Sequence, residues 1–183
     1  LGLLIGLFIY YSGIISNATD VQLPFFKDAV LSLGALYVLF VMLTITASSN
    51  AVNLTDGLDG LAIGLVLLCT LTFAGFSYVT GNVRFSDYLN IPYIAGTGEL
   101  TVYCASLIGA SLGFLWFNAH PAEVFMGDTG SLAVGGALGT LAVLIRKEIW
   151  LVIVGGVFVL VAASVIIQIL SVKLRGRRGF LMS

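Results

Sequence analysis

The chain has 183 residues, of which 59% are hydrophobic and 9% charged, with eight Lys/Arg against nine Asp/Glu and a net charge of −1. Soluble domains carry about 25% charged residues, and disorder needs low hydrophobicity, so both classes are excluded. The near-neutral balance also excludes a broad basic face for nucleic acid.

What remains is a polytopic membrane protein. No segment alternates apolar with polar residues as barrel strands do, so the fold class is an all-α membrane helix bundle. A span needs about 20 apolar residues. The first run, 1–15, starts inside apolar sequence (Leu1-Gly2-Leu3-Leu4-Ile5) and lacks the basic segment of a signal peptide, so it reads as a truncated helix. A second span is expected over 29–48, followed by a polar stretch at 49–59. A third span covers about 60–79, and after a connection at 80–99 a fourth covers about 100–117. The loop 118–129 leads to a short fifth span over about 130–145, where Gly130, Gly135, Gly136 and Gly139 suit a close helix–helix contact. After 146–148 a sixth span runs over 149–170, and the tail holds Lys173, Arg175, Arg177 and Arg178. The expectation is one transmembrane domain over 1–183, with about six spans, cut from a longer protein. Cys69 and Cys104 lie in apolar runs and read as buried free thiols.

The connections fall on alternating sides. Lys27, Arg84, Arg146 and Lys147 lie on one side, and Lys173, Arg175, Arg177 and Arg178 on the other, a tie in the positive-inside count. The basic tail favours the second side as cytoplasmic.

That side also holds the informative loops. The first reads Asn53-Leu54-Thr55-Asp56-Gly57-Leu58-Asp59-Gly60. Two aspartates three apart at the start of a membrane helix would share one face. A turn with a helix cap is the alternative reading, since Asp and Asn cap helices and Gly permits tight turns. The second loop reads Phe117-Asn118-Ala119-His120-Pro121-Ala122-Glu123-Val124-Phe125-Met126-Gly127-Asp128-Thr129-Gly130-Ser131. Gly127 and Gly130 flank Asp128 where another helix begins. Such a terminus offers free N–H groups to phosphate, and a carboxylate there suits Mg²⁺, which shares oxygen ligands with phosphates. An N-cap role is the alternative for Asp128. His120, the sole histidine, precedes a proline and belongs in a loop. By parity Asp56, Asp59, Asp128 and the basic tail share one membrane face. They form a candidate site for a metal-bound phosphate ester, the setting of phosphoryl transfer.

The two loops resemble signature blocks of the phospho-N-acetylmuramoyl-pentapeptide transferase family. The likeness extends to Leu23-Pro24-Phe25-Phe26-Lys27, Gly113-Phe114-Leu115-Trp116-Phe117-Asn118, Gly155-Gly156-Val157-Phe158-Val159 and Lys173-Leu174-Arg175-Gly176. The resemblance implies a ten-helix bacterial inner-membrane parent, multi-pass, with its active site on the cytoplasmic face and a homodimeric state. It implies Mg²⁺-dependent transfer of phospho-MurNAc-pentapeptide from UDP-MurNAc-pentapeptide to undecaprenyl phosphate, giving lipid I and UMP. On that reading Asp56 and Asp128 are catalytic, and Asp128 is the Mg²⁺ ligand. Asn53, Gly57, Leu58, Asp59 and Phe125 line the nucleoside pocket, and Asn118 and Gly127 lie near the phosphates or the ribose.

The chain departs from the family in three places. No Asp-Asp pair precedes Asp56, no histidine triplet follows the basic tail, and Leu160-Val161-Ala162-Ala163 stands where the family shows Glu-Thr or Glu-Ala. The 183 residues alone are therefore expected to be inactive. Three other readings compete. One is a sister enzyme that transfers GlcNAc-1-phosphate from UDP-GlcNAc to the same lipid. Another is a transporter or proton pathway, which needs ionisable groups in mid-span. The third is a purely structural bundle with capped helices.

Overall fold

The computed structural model describes residues 1–12, 19–24 and 30–175. Its elements are α1 (Gly2–Ser12), β1 (Asp20–Gln22), β2 (Val30–Ser32), α2 (Leu36–Thr55), α3 (Leu61–Thr80), α4 (Val83–Leu89), α5 (Thr97–Asn118), α6 (Gly127–Leu144), α7 (Glu148–Val154) and α8 (Gly156–Arg175). The architecture is an all-α bundle, and β1 and β2 form a single antiparallel pair, Asp20 opposite Ser32. Helices α2, α3, α5 and α8 are long and apolar enough to cross a membrane. At 1.5 Å per residue, the 20 residues of α2 reach about 30 Å, the thickness of a bilayer core.

Two helix pairs dominate. α2 lies along α6, and α3 lies along α5, while α1 and α8 both rest on α2. One core cluster joins Val52, Ile63, Val66, Phe73, Cys104, Leu138 and Leu141, so the α2–α6 pair packs on the α3–α5 pair, with α6 against α3. Cys69 and Cys104 are free and buried in this cluster.

The α2–α6 seam is close because α6 presents glycine there. A Cβ on Gly135 would stand 2.8 Å from Ser48 O and 2.8 Å from Ser49 Cα, and one on Gly139 would stand 3.0 Å from Ile45 Cα. Gly136 is different: its Cβ would meet only Ser49 Oγ, at 4.0 Å. Gly130 faces Met126 instead of α2. Of the four glycines that the sequence singles out, two make the helix contact. Across the seam Ser48 Oγ donates to Gly135 O and Ser49 Oγ to Leu132 O, both at 2.7 Å.

Several boundaries differ from those expected. The second span begins at Leu36, not 29, because Val30–Ser32 pairs with Asp20–Gln22 and Gly34 turns the chain at φ +51. It continues to Thr55, through residues expected in a loop. Their polar groups are satisfied within the bundle: Asn50 Nδ2 donates to Thr46 O, and Thr55 Oγ1 to Ala51 O. The connection at 80–99 holds α4, capped by Asn82 Oδ1, which accepts from the Arg84 and Phe85 N–H groups. The last expected span breaks at Gly155, whose N–H still bonds Leu151 O, dividing it into α7 and α8.

At the end opposite α2's C-terminus, the hairpin docks on the α6–α7 turn. Arg146 Nη2 donates to Asp20 O at 2.6 Å, and Lys147 Nζ to Gln22 Oε1 at 2.7 Å. Tyr37 OH donates to Glu148 Oε1 at 2.8 Å, and both residues are buried. Burial raises the carboxyl pKa of Glu148. Because a buried acceptor without its donor is costly, Tyr37→Phe should lose about 1–3 kcal/mol. A lowered melting temperature of the detergent-solubilised protein would register it, and an unchanged one would show the bond to be dispensable.

A candidate active site where two turns meet

The α2–α3 turn and the α5–α6 loop lie together at one end of the bundle. Asn53, in the last turn of α2, makes the connection. Its Nδ2 donates to Asp128 Oδ1 at 3.0 Å and to Ser131 Oγ at 2.9 Å. Ser131 is fully buried and passes its own hydrogen to Gly127 O at 3.0 Å. A side chain from α2 thus fixes the first turn of α6.

Asp56 closes α2 through its backbone, with its N–H on Val52 O and Asn53 O. Its carboxyl pKa is raised, first by burial and then by the negative charge of Asp128. Asp128 itself is exposed in the first turn of α6, where the positive end of the helix dipole favours an anion.

Asp56 is the C-cap of α2 through its backbone, but no aspartate side chain caps the start of a helix here. α3 starts at Leu61 behind Gly60, and α6 starts behind Met126, with no side-chain cap at either helix. The expectation that Asp56 and Asp59 share a helical face is corrected for the same reason. Asp56 ends one helix and Asp59 lies in the turn before the next.

A second set of bonds staples the turn to the loop. Asn118, 4% exposed at the end of α5, accepts from Gly60 N–H at 3.1 Å and donates to Val124 O at 2.9 Å. Gly60 has φ +74, a left-handed conformation suited to glycine. Asp59 Oδ2 accepts from Ala122 N–H at 3.2 Å and stands 3.1 Å from His120 Nδ1. The Glu123 and Val124 N–H groups return to Phe117 O. Gly57, Leu58 and Phe125 are exposed around these staples, Phe125 at 73%. Gly127 has φ +65, and a Cβ there would meet nothing within 4 Å, so its backbone is open to approach.

The structure thus brings Asn53, Asp56, Asp59, Gly127 and Asp128 to one rim, with Gly57, Leu58 and Phe125 beside them. Asn118 is set apart, since both ends of its amide are engaged within the chain. Asn118→Ala should release both loops, with a stability loss of about 1–3 kcal/mol visible in the melting temperature. Sequence reasoning missed Ser131 and the N–H of Ala122. The spacing of Ser131, three after Asp128, is the one signal that pointed to it. Arg177 and Arg178, like Phe25, Phe26 and Lys27, lie outside the described residues, and Lys173 is exposed in the last turns of α8.

The donor set suits a hard cation. Mg²⁺ takes one or two carboxylates and fills its remaining positions with water and substrate phosphates. Among the described residues no group of three His, Cys, Asp or Glu side chains gathers into a closed cage. The Asp56–Asp128 pair, whose mutual repulsion a cation relieves, is the open arrangement that Mg²⁺ prefers. No Asp, Glu, Lys, Arg or His lies in the middle of α2, α3, α5, α6 or α8, where a transport pathway would place its charged groups.

A family model described as glycosyl transferase family 4 matches residues 1–146. Among curated relatives, a phospho-N-acetylmuramoyl-pentapeptide-transferase of Citrifermentans bemidjiense is 58% identical over 179 residues, covering 98% of this chain and 49% of the relative. A protein of the same description from Geobacter sp. strain M21 shows the same identity and coverage. One from Pelagibacter ubique is 58% identical over 168 residues, 92% of this chain and 46% of the relative. The chain spans about half the length of the curated relatives it matches. With its matching residues forming the membrane bundle and both polar turns, the chain belongs to glycosyl transferase family 4.

Proposed function

We propose that the chain is the part of a lipid I synthase that carries its central polar turns. In the whole protein it takes part in moving phospho-MurNAc-pentapeptide from UDP-MurNAc-pentapeptide to undecaprenyl phosphate, releasing UMP. The observation that carries this reading is the Asp128 carboxylate, held by Asn53 at the end of α2 where its charge acts on Asp56. The names of the relatives support the substrates. The family resemblance supports a homodimer in the bacterial inner membrane with this rim on the cytoplasmic face.

Asp128, with Asp56 beside it, would hold the Mg²⁺, which when bound neutralises charge on the diphosphate. The residues of the chain supply position. Asn53 keeps the Asp128 carboxylate on the rim. Phe125 offers a ring face on which a uracil stacks, and Asp59 an acceptor for its N–H. The left-handed Gly127 lets backbone N–H groups approach a phosphate. The reaction forms a bond between the lipid phosphate oxygen and the sugar-side phosphorus, and the bond to UMP breaks.

The test uses radiolabelled UDP-MurNAc-pentapeptide and undecaprenyl phosphate with a protein of the relatives' full length that contains this chain. Mg²⁺-dependent formation of labelled lipid and UMP is expected, lost with EDTA and restored by Mg²⁺. Labelled lipid formed from UDP-GlcNAc in its place would identify the sister reaction. Residues 1–183 alone are expected to give no product.

A further inference from the structure

We infer that His120 is a positioning residue for recognition of the nucleotide sugar, acting through Asp59. The inference rests on the functional reading above, in which Asp59 meets the nucleobase.

Three observations lead to it. First, His120 Nδ1 stands 3.1 Å from Asp59 Oδ2, and the Ala122 N–H donates to the same oxygen at 3.2 Å. An ionised carboxylate only accepts, so Nδ1 is the donor. Among the described residues only Oδ2 of Asp59 is engaged, which leaves its other oxygen to read a donor edge. Second, the His120 side chain is 85% exposed while that of Asp59 is 29% exposed. The imidazole lies outside the carboxylate and packs little, so its role is orientation more than support of the fold. Third, the two turns are joined independently by Asn118, through Gly60 N–H and Val124 O. Removing His120 leaves that staple intact and frees only the Asp59 carboxylate to turn. A carboxylate with one oxygen held by two donors loses little freedom when a ligand arrives, and losing a donor makes the ligand bear that ordering.

The test compares His120→Ala, His120→Asn and His120→Gln in the full-length protein, with UMP release as the readout. Asn carries its amide nitrogen where Nδ1 stands, whereas Gln carries it one atom farther out. His120→Ala and His120→Gln are expected to raise the KM for UDP-MurNAc-pentapeptide about three- to tenfold, the size of one lost hydrogen bond. Their kcat and their KM for undecaprenyl phosphate should stay within about twofold of the unsubstituted protein, as loss of ground-state positioning requires. His120→Asn should restore the KM. Should the alanine variant melt lower, the Asn and Gln variants, both polar and similar in size, still decide the comparison. An unchanged KM in both His120→Ala and His120→Gln overturns the inference, as does a fall in kcat alone or an Asn variant that behaves like Ala. These outcomes leave the functional reading standing. If the unsubstituted protein releases no UMP, that reading fails and the inference falls with it.

Discussion

Asp128→Asn, placed in a protein of the relatives' full length, should lower turnover by about 10³-fold or more with little change in melting temperature. The asparagine keeps the size of the side chain but not its charge. It no longer offers a hard anionic ligand, and charge stabilisation by a metal is worth several kcal/mol in reactions of this class. Stability should hold because Asp128 is exposed and caps nothing; the α6 terminus carries no side-chain cap. Asparagine Oδ1 can still accept from Asn53 Nδ2, so the local bond survives. A variant with near-normal turnover would remove Asp128 from the chemistry. A variant that unfolds would assign it to structure.

Gly135→Val should be the most damaging change outside the rim. The new Cβ would sit 2.8 Å from Ser48 O, 2.8 Å from Ser49 Cα and 2.9 Å from Val52 Cβ. Two of these neighbours are backbone, which cannot step aside as a side chain can. Overpacking of this kind costs about 1–3 kcal/mol. The separation of α2 from α6 would also strain the bonds from Ser48 and Ser49 across the seam. Asn53 lies one turn beyond Ser49 on α2, so the same displacement draws it away from Asp128. Both melting temperature and turnover should fall. Gly136→Ala is the control: its Cβ would meet only Ser49 Oγ at 4.0 Å, so stability and activity should be kept. Equal effects of the two substitutions would refute the close-seam explanation.

Much of the site was legible in the sequence because its chemistry is local. Asp56 and Asp128 each lie among glycines at an edge between apolar and polar residues, and span parity alone puts them on one side. The stapling was not legible. Asn118 finds Gly60 and Val124 only once α3 and α5 pack, and Ser131 serves Asn53 only through the α2–α6 seam. The fold class followed from composition, but the helix limits did not. The run Ala29-Val30-Leu31-Ser32-Leu33 is as apolar as a helix start, and its pairing with Asp20–Gln22 is set by residues outside it. The stretch 49–55 reads as loop by polarity, yet its side chains bond helix carbonyls on α2 and α6, so the helix runs through. The break at Gly155 fell inside an unbroken apolar run, where hydropathy carries no boundary.

Whether the two turns clasp a metal-bound diphosphate can be read with Mn²⁺ in place of Mg²⁺, by pulsed electron–nuclear double resonance on the full-length protein with UDP-MurNAc-pentapeptide. A ³¹P coupling to protein-bound Mn²⁺ is expected, absent in Asp128→Asn and weakened in Asp56→Asn. Bound Mn²⁺ whose ³¹P coupling is indifferent to both substitutions would contradict the clasp.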